Sequence, residues 1–574
     1  MNVLMLTNQI GRAEAHCGPF VSRRGHVMRT LCAEGPADYH FDPAETTSEV
    51  IGRIGREWQP DVLVCWTPEL FPPPLAVEQC PIKTLAVVSD WNIYHPQLEH
   101  NLARYDTVLS DRLGTECLRL CGAAPRYLFP LYSQCSLLHR RLKVRKDIDI
   151  AFVGSPYHGV HRKRGRLLER VATLSDRYRV VITSNLFDED YTGMLNRARI
   201  VFNHALRREM NLRCFETLAC GSLLFVEEDN LEVRDYLTDR ENVVLYRPDN
   251  LLELAEYYLA NPREAERIAK KGYALADSLA IENRLDALFD WIEAQPAWER
   301  SFASLPEEER ALATVMQYAT SLVAGQRTLA GQYLTDALAG FPDRPEFAVA
   351  ESCYLMDRLA DTAGEERRAA TRALLQRMQG TVAQAPQAAP LWLNLALVCR
   401  AANARPAEAR FLEQALSARS CEFGGFLVGS VEDPFYAEWR WAMAIGEARI
   451  EHLWAQAATR LAQIRLEDNE ARVALELADQ ACQWASEMAP PRLMAGLAAE
   501  CIGDFVMAVH HLEAGLPLTA FDSDHRLALI RVLDAAGRKA DACELAAASA
   551  LIFAACPETA EKARRFRDLA GSEA

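Results

Sequence analysis

Ten short apolar runs fill the first 250 residues, and after about residue 300 nothing like them recurs. They read NVLMLT (2–7), DVLVCW (61–66), TLAVVSD (84–90), TVLSD (107–111) and RYLFP (126–130). Past a basic, polar connector, HRRLKVRKD (139–147), they resume as IDIAFVG (148–154), YRVVITS (178–184), RIVFN (199–203), SLLFVEE (222–228) and NVVLYR (242–247). Runs this short and this continuously apolar suit strands buried on both faces, and the helical patterns between them supply the cover. Such alternation predicts α/β architecture with parallel sheets, and its restart after the connector predicts two consecutive doubly wound, Rossmann-like units. Sheets of that kind bind ligands beyond the carboxyl ends of their strands, so two in succession predict a cleft between those ends.

The later half is Ala- and Leu-rich and helical in pattern. GDFVMAVHHLEAG begins at Gly503 and GRKADACELAAAS at Gly537, 34 residues on, with Ala508 and Ala542 in the same offset. A period of 34 with Gly in the turn is the tetratricopeptide pattern, in which each helix pair buries its apolar face on the next. GQRTLAGQYLTDALAGFP from Gly325 fits as a further copy, and residues 390–416 as a looser one. A generic helical bundle is the alternative. Residues 421–439 break the pattern and are expected to be a long loop or insertion. The expected domains are 1–140 (Rossmann-like, acceptor side), 141–298 (Rossmann-like, donor side) and 299–574 (helical repeats), an α/β plus all-α chain.

Composition narrows the function classes. Net charge is −16 from 63 basic and 79 acidic residues, which argues against a nucleic-acid surface. No apolar stretch is long enough for a membrane span, and the start MNVLMLTNQIG lacks the basic region of a signal peptide, so a cytoplasmic setting is expected. The 16 cysteines include no CxxC; Cys117 and Cys121, one helical turn apart, read as reduced core thiols.

Chemistry concentrates in two places. In MNLRCFETLACGSLLF (210–225), a helix puts Leu212, Phe215, Leu218 and Ala219 on one face, leaving Arg213 and Glu216 to meet a ligand or merely each other. Gly221 suits the helix C-cap, and the helix N-terminus near Asn211 offers unpaired N–H groups that attract anions. In VGSPYHGVHRKRGRLLERV (153–171), a turn at Gly154 precedes His161, Arg162, Lys163, Arg164 and Arg166. This basic run suits the diphosphate of a nucleotide, or else a solvated helix start. Neither GxGxxG with a distant acid nor a Walker GxxxxGK[ST] occurs, which disfavours dehydrogenase and P-loop readings. The histidines of WNIYHPQLEH (91–100) are poorly spaced for a metal, and no Asp-x-Asp is placed to hold one. In the first unit, His16 in GRAEAHCGPF (11–20) and Asp90 at a strand end are candidates to contact the acceptor or move its proton, against ordinary loop and capping roles.

The run YTGMLNRARIVFNHALRREMNLRCFETLACGSLLFVEEDNLEVRDYL and the following DNLLELAEYYLANPREAERIAKKGY resemble the CgeB-like glycosyltransferases, named for a spore-maturation protein. The resemblance spans roughly residues 85–290. It implies the two-domain GT-B architecture and sugar transfer from a nucleotide-activated donor held mainly by the second unit. Glu216 would match the ribose-binding second glutamate of the Glu-x7-Glu pattern of related retaining enzymes. The first glutamate would fall on Arg208, with the acidic Glu209 one position away as the candidate sugar contact. Arg162 and Lys163 would hold the diphosphate, beside Asn211 and Arg213, with Gly154, His161 and Ser184 completing the donor site. GT-B enzymes can stabilise the departing diphosphate with fixed cations and a helix N-terminus, so no metal and no other cofactor is expected. The expected partners are a nucleotide sugar, an acceptor (a protein such as a flagellin or surface protein, or a cell-surface glycan), and a protein docked on the repeats. The competing readings are an inactive nucleotide-sugar sensor with a working helical tail, and a nucleotide-sugar epimerase of two Rossmann-like domains.

Overall fold

In the computed structural model, which describes residues 1–6, 22–156, 159–295, 305–319 and 324–571, the described strands form two sheets with only parallel neighbours. The first contains β1 (Asn2–Leu6), β2 (Val27–Cys32), β3 (Tyr39–His40), β4 (Val62–Trp66), β5 (Lys83–Val88) and β6 (Thr107–Ser110), in the order β3-β2-β1-β4-β5-β6. The second contains β7 (Ile148–Val153), β8 (Val180–Thr183), β9 (Ala198–Phe202), β10 (Leu223–Glu227) and β11 (Val244–Tyr246), in the order β11-β10-β9-β7-β8. Registers such as Val3↔Val62 and Ile150↔Ile200 join the central strands. Strand order reverses between β1 and β4 in one sheet and between β7 and β9 in the other. Crevices for ligands open at such reversals, beyond the strand carboxyl ends.

Both sheets are Rossmann-like, and an all-helical region follows. The α/β plus all-α class read from the sequence therefore holds. Two strands went unread. β2 and β3 form a polar edge, where Arg29 lies 5.0 Å from the Trp58 ring centroid, so neither makes an apolar run. RYLFP is not a strand; it makes a single bridge, Leu109↔Arg126.

Packing divides the chain into two compact units, Met1–Ser155 with Leu174–Ala330, and Pro156–Thr173 with Gly331–Ala574. In the first, the helix Ile281–Ala294 returns from the second sheet to the first. Its Leu285, Leu288, Phe289 and Ile292 are buried against Val3, Met5, Val62, Val64, Leu85 and Val87. Each such burial contributes about 1.5–3 kcal/mol. Met210, Phe215 and Leu218 pack with Leu224, Val226 and Leu245 on the second sheet.

In the second unit, successive antiparallel helices pair: Ala389–Ala401 with Arg405–Ser417, Ile450–Glu467 with Ala471–Trp484, Ala489–Cys501 with Phe505–Gly515, and Ser523–Ala535 with Lys539–Ala554. Gly503 (φ 81°) and Gly537 (φ 76°) make the turns that the period marks, and Asn469 (φ 63°), 34 residues earlier, makes the same turn. Ala474, Ala508 and Ala542, five residues after each, are buried between paired helices. Asn tolerates the left-handed conformation, which is why a glycine search misses that copy. The expected loop 421–439 is partly helix. Asp433 caps the helix Pro434–Ala444, accepting from the Phe435 N–H, and buried Trp439 donates to Gly424 O at 2.9 Å.

Candidate functional site

At the reversal of the second sheet, the helix Leu212–Cys220 begins beside the ends of β7 and β9. Asn211 is its N-cap residue, but its side chain makes no capping hydrogen bond; its carbonyl takes the Cys214 N–H (3.0 Å), and the positive end of the helix dipole lies at this turn. Arg213 donates to Val153 O and to Asn203 Oδ1 (2.8 Å), tying together the carboxyl ends of β7 and β9. Its guanidinium lies 4.3 Å from the Phe152 ring centroid. Gly154 makes room for it: a Cβ there would meet Arg213 Nη2 at 2.7 Å, and its φ of +146° disfavours a side chain as well. Ser184 follows β8, and Asn185 Nδ2 donates to its Oγ at 3.4 Å.

Glu216 is not presented as a free ligand contact. It is 4% exposed, because the helix Asp188–Arg197 and the segment after residue 134 cover that face. Tyr191 donates its hydroxyl to Glu216 Oε2 at 2.5 Å. His139 accepts the Cys135 N–H at Nδ1 (3.2 Å), which leaves its proton on Nε2, 3.5 Å from Glu216 Oε1. Burial drives the two groups toward neutrality: it raises Glu216 to about 7, opposed by Tyr191 and Arg213, and lowers His139 to about 4. The helix Leu212–Cys220 is buried on all sides from Cys214 onward, which a one-face reading did not anticipate.

The ends of the two sheets meet at Arg207, a residue the sequence reading passed over. Asp90 follows β5, Asp111 follows β6 and Glu209 follows β9; Arg207 pairs with their oxygens at 2.9, 3.1 and 3.4 Å. Asp111 also caps the helix Arg112–Cys117 through the Gly114 N–H (2.7 Å) and accepts from Trp91 Nε1 (2.9 Å). Burial, resisted by Arg207, lifts Asp111 to about 6. Glu209 accepts the Arg207 N–H at 2.7 Å and is itself buried, so it faces inward rather than toward a sugar. Asp90 is the exception, with a side chain 35% exposed. Its backbone N–H donates to Glu69 Oε1 (2.8 Å), which also takes the Ser89 N–H and hydroxyl. Burial raises Glu69 to about 7. The structure thus brings together Asp90 and Glu209, read independently from opposite halves of the core.

The basic run packs elsewhere. His161, Arg162 and Lys163 belong to the helical unit, not to the unit carrying Gly154, Asn211 and Arg213. Arg162 pairs with Glu438 and donates to Glu487 O (3.2 Å) and Met488 Sδ (3.2 Å). Arg166 donates to Pro517 O at 3.2 Å, and Arg164 is buried. His161 precedes the helix Arg162–Ala172 without a side-chain cap, and Lys163 is exposed. The diphosphate role read for Arg162 is therefore corrected: its charge is matched within the helical unit. His16 and its loop lie outside the described residues.

Two groups of side chains among the described residues bring enough donors together for a cation. Glu438, His452 and Glu487 line a cavity of about 610 Å³ with Trp441 and Arg449, but Arg162 is already paired with Glu438. In the other, His26, Asp290 and Glu293, Asp290 is paired with Arg24. His95, from the run that sounded like a metal site, lies 3.5 Å from Cys121 Sγ. Cys117 and Cys121 are buried free thiols, as read. No described helix is long and apolar enough to cross a membrane.

Residues 134–290, which include the whole second sheet, match the family model described as "Glycosyl transferase-like". No curated protein matches the chain in sequence. Among solved structures the chain is similar to a sucrose-phosphate synthase from Thermosynechococcus elongatus, at 10% identity over 51% of this chain and 99% of that one, with a TM-score of 0.36. It is similar to HepE from Anabaena, solved in complex with UDP-glucose, at 9% identity over 51% of this chain and 100% of that one (TM-score 0.37). A MamA protein shares 14% identity over 36% of this chain and 91% of its own (TM-score 0.24). TM-scores of this size carry no conclusion about activity.

Proposed function

We propose that the chain is a glycosyltransferase of the GT-B type, moving a sugar from a nucleotide-activated donor to an acceptor. The observation that carries this reading is the uncapped helix N-terminus at Asn211, set where the strand order of the second sheet reverses, inside the segment that matches the glycosyl transferase-like model. A departing nucleoside diphosphate gains negative charge, and a helix N-terminus with a fixed guanidinium nearby stabilises it without a metal. Gly154, Ser184, Asn211 and Arg213 form the phosphate side of the donor site. Glu216, a carboxyl whose burial raises it to about 7, binds ribose hydroxyls once its partners yield. Asp90, the exposed carboxylate at the first sheet, takes the acceptor's proton. The anomeric configuration is retained, as the family resemblance implies. The acceptor is a protein recruited by tetratricopeptide-like repeats, with a surface glycan as the alternative.

Calorimetric titration with a panel of nucleotide sugars, followed by donor hydrolysis with and without EDTA, tests the reading. Binding of at least one nucleotide sugar and turnover that survives chelation are expected. Loss of turnover on chelation contradicts the metal-free mechanism, and absence of binding across the panel contradicts the donor site. The saturation of Glu216 and Arg162 by internal partners favours a second reading, a nucleotide-sugar-binding scaffold without turnover. Binding without hydrolysis or transfer would support it.

A further inference from the structure

We infer that Arg207 is the positioning residue of the proposed transfer reaction, holding Asp90 at the working face by a buried guanidinium engaged with residues that follow strands of both sheets. The inference rests on the glycosyltransferase reading above.

The guanidinium is engaged along its whole fork. Nε–H points to Asp111 Oδ2 (3.1 Å), and Nη1 serves Asp90 Oδ1 (2.9 Å) and Asn92 Oδ1 (3.2 Å). Nη2 donates to Tyr132 Oη (3.3 Å) and lies 3.4 Å from Glu209 Oε1 as an ion pair. A guanidinium has five N–H bonds in a fixed planar fork, and four donate hydrogen bonds here. Arg207 is also 4% exposed. Buried among these partners, it acts through other residues rather than on a phosphate or a sugar.

The chain builds the arrangement deliberately. The next residue, Arg208, has φ 61°, a left-handed conformation uncommon for a residue with a side chain. That turn is fixed on both sides: Arg208 O accepts the Leu231 N–H (2.7 Å), and Arg208 Nε donates to Asp229 O (2.7 Å). It directs Arg207 from the end of β9 toward residues that follow β5 and β6 of the other sheet. Three carboxylates converge on one cation, and two of them are buried. Without Arg207 they would repel one another at low dielectric. With it, Asp90 is fixed at one oxygen by Nη1 and at its backbone by Glu69, while its side chain keeps an open face. Misplacing a reacting group by about 1 Å can lower a rate about 100-fold, so the single Nη1 contact has leverage on turnover.

The groups facing Asp90 are Arg207, Asn92, Glu69, Asp111, Glu209 and Tyr132, from both sheets. Arg207 is the only cation in this set. Its removal therefore takes away the one positive charge that these carboxylates share.

The test compares donor hydrolysis by the full-length wild type, Arg207→Lys, Arg207→Gln and the double variant Arg207→Gln/Asp111→Asn, each with a thermal unfolding scan. Arg207→Lys keeps the charge but not the fork. It is expected to lower kcat about 10- to 100-fold with KM for the nucleotide sugar changed less than about 3-fold. Arg207→Gln is expected to lower kcat at least as far, with KM again changed less than about 3-fold. The double variant removes one buried like charge, so it is expected to recover thermal stability but not kcat. Wild-type kcat in Arg207→Lys, or recovery of kcat along with stability in the double variant, overturns the positioning role and leaves the transferase reading standing. A wild type that binds and hydrolyses no nucleotide sugar overturns both.

Discussion

Replacing Glu216 by Gln isolates one consequence of burying a carboxyl beside the second sheet. In the folded chain burial raises this group from the usual 4.5 to about 7. Between those values the folded chain holds a proton that the unfolded chain has released. Stability is therefore greatest below pH 4.5, falls as pH rises through the window, and levels off above about 7. A window from 4.5 to about 7 corresponds to about 3 kcal/mol. Gln cannot titrate, so the variant loses this slope. It also brings a fixed cost: with its oxygen toward His139 Nε2–H, its amide N–H₂ faces Tyr191, whose hydroxyl now has to accept instead of donate. That mismatch costs about 1–3 kcal/mol at every pH, so the decisive quantity is the slope and not the absolute stability. Urea midpoints of wild type and Glu216→Gln would be measured at pH 5, 6, 7 and 8. The other buried acids, Glu69, Glu227 and Glu232, titrate in both proteins and drop out of the difference. The variant is expected to gain up to about 3 kcal/mol on the wild type between pH 5 and pH 8. A difference that stays constant across this range would refute the claim that Glu216 is buried and neutral.

Gly154→Ala should destabilise the first unit by about 1–3 kcal/mol, since its Cβ would displace Arg213 and φ is unsuited to a side chain, whereas Gly52→Ala, in a helix with open space around it, should be neutral or stabilising by up to about 1 kcal/mol; thermal scans compare the two. Arg162→Ala should leave nucleoside diphosphate affinity unchanged in calorimetry while lowering the melting temperature, because the guanidinium serves Glu438 and the backbone of Glu487. Glu216→Ala should weaken nucleotide binding by about 1.5–3 kcal/mol if the carboxyl reaches ribose, and unchanged calorimetric affinity in the folded variant removes it from the site. Cutting the chain near residue 298 should give aggregated protein by sedimentation, because Leu168 and Val171 would lose the packing they have within the helical unit; a soluble, nucleotide-binding fragment would contradict this.

Most of the fold was legible because burial leaves a one-dimensional trace. Strands covered on both faces must be largely apolar, and β1, β4, β5, β6 and β7–β11 all coincide with runs read from the sequence, β5 and β9 each starting one residue earlier than its run. β2 and β3 were invisible for the converse reason: β3 is a two-residue edge strand that pairs only with Leu31 and Cys32, so β2 can carry Arg29 and Thr30 beyond it. The repeat was legible through Gly503 and Gly537 and hidden at Asn469, where a different residue satisfies the same φ. The site was harder to read, because its partners are far apart in sequence. Nothing near Arg207 foretells that its acceptors are Asp90, Asn92, Asp111 and Tyr132; only the strand order brings them together. A signal was nonetheless present. Arg207 and Glu209 follow a buried strand in a sheet type that binds at strand ends, and both ionised side chains are too costly to bury without partners.

The basic run 161–166 shows where a sound local inference fails. A cation cluster just past a glycine turn is what a diphosphate requires, and the chemistry of the residues is correct for it. What decides the matter is the chain path, which leaves one compact unit at Ser155, enters the other at Pro156 and returns at Leu174. Within the helical unit, Arg162 is matched by Glu438, while Glu169 accepts from Arg526 (3.0 Å) and from the Phe521 N–H (2.5 Å). Gly165 lets this helix approach so closely that a Cβ there would lie 2.6 Å from Pro156 O and 2.7 Å from Ala520 Cβ. The helical region is therefore built around a segment of the α/β half, and detaching it removes the partners of that segment. In the proposed donor site the positive charge at the phosphates then falls to groups that remain: the N-terminal end of the helix at Asn211, with Arg213 fixed behind it by Val153 O and Asn203. A helix end supplies about half a unit charge with no side-chain entropy to lose, which suits a site whose arginines are otherwise engaged.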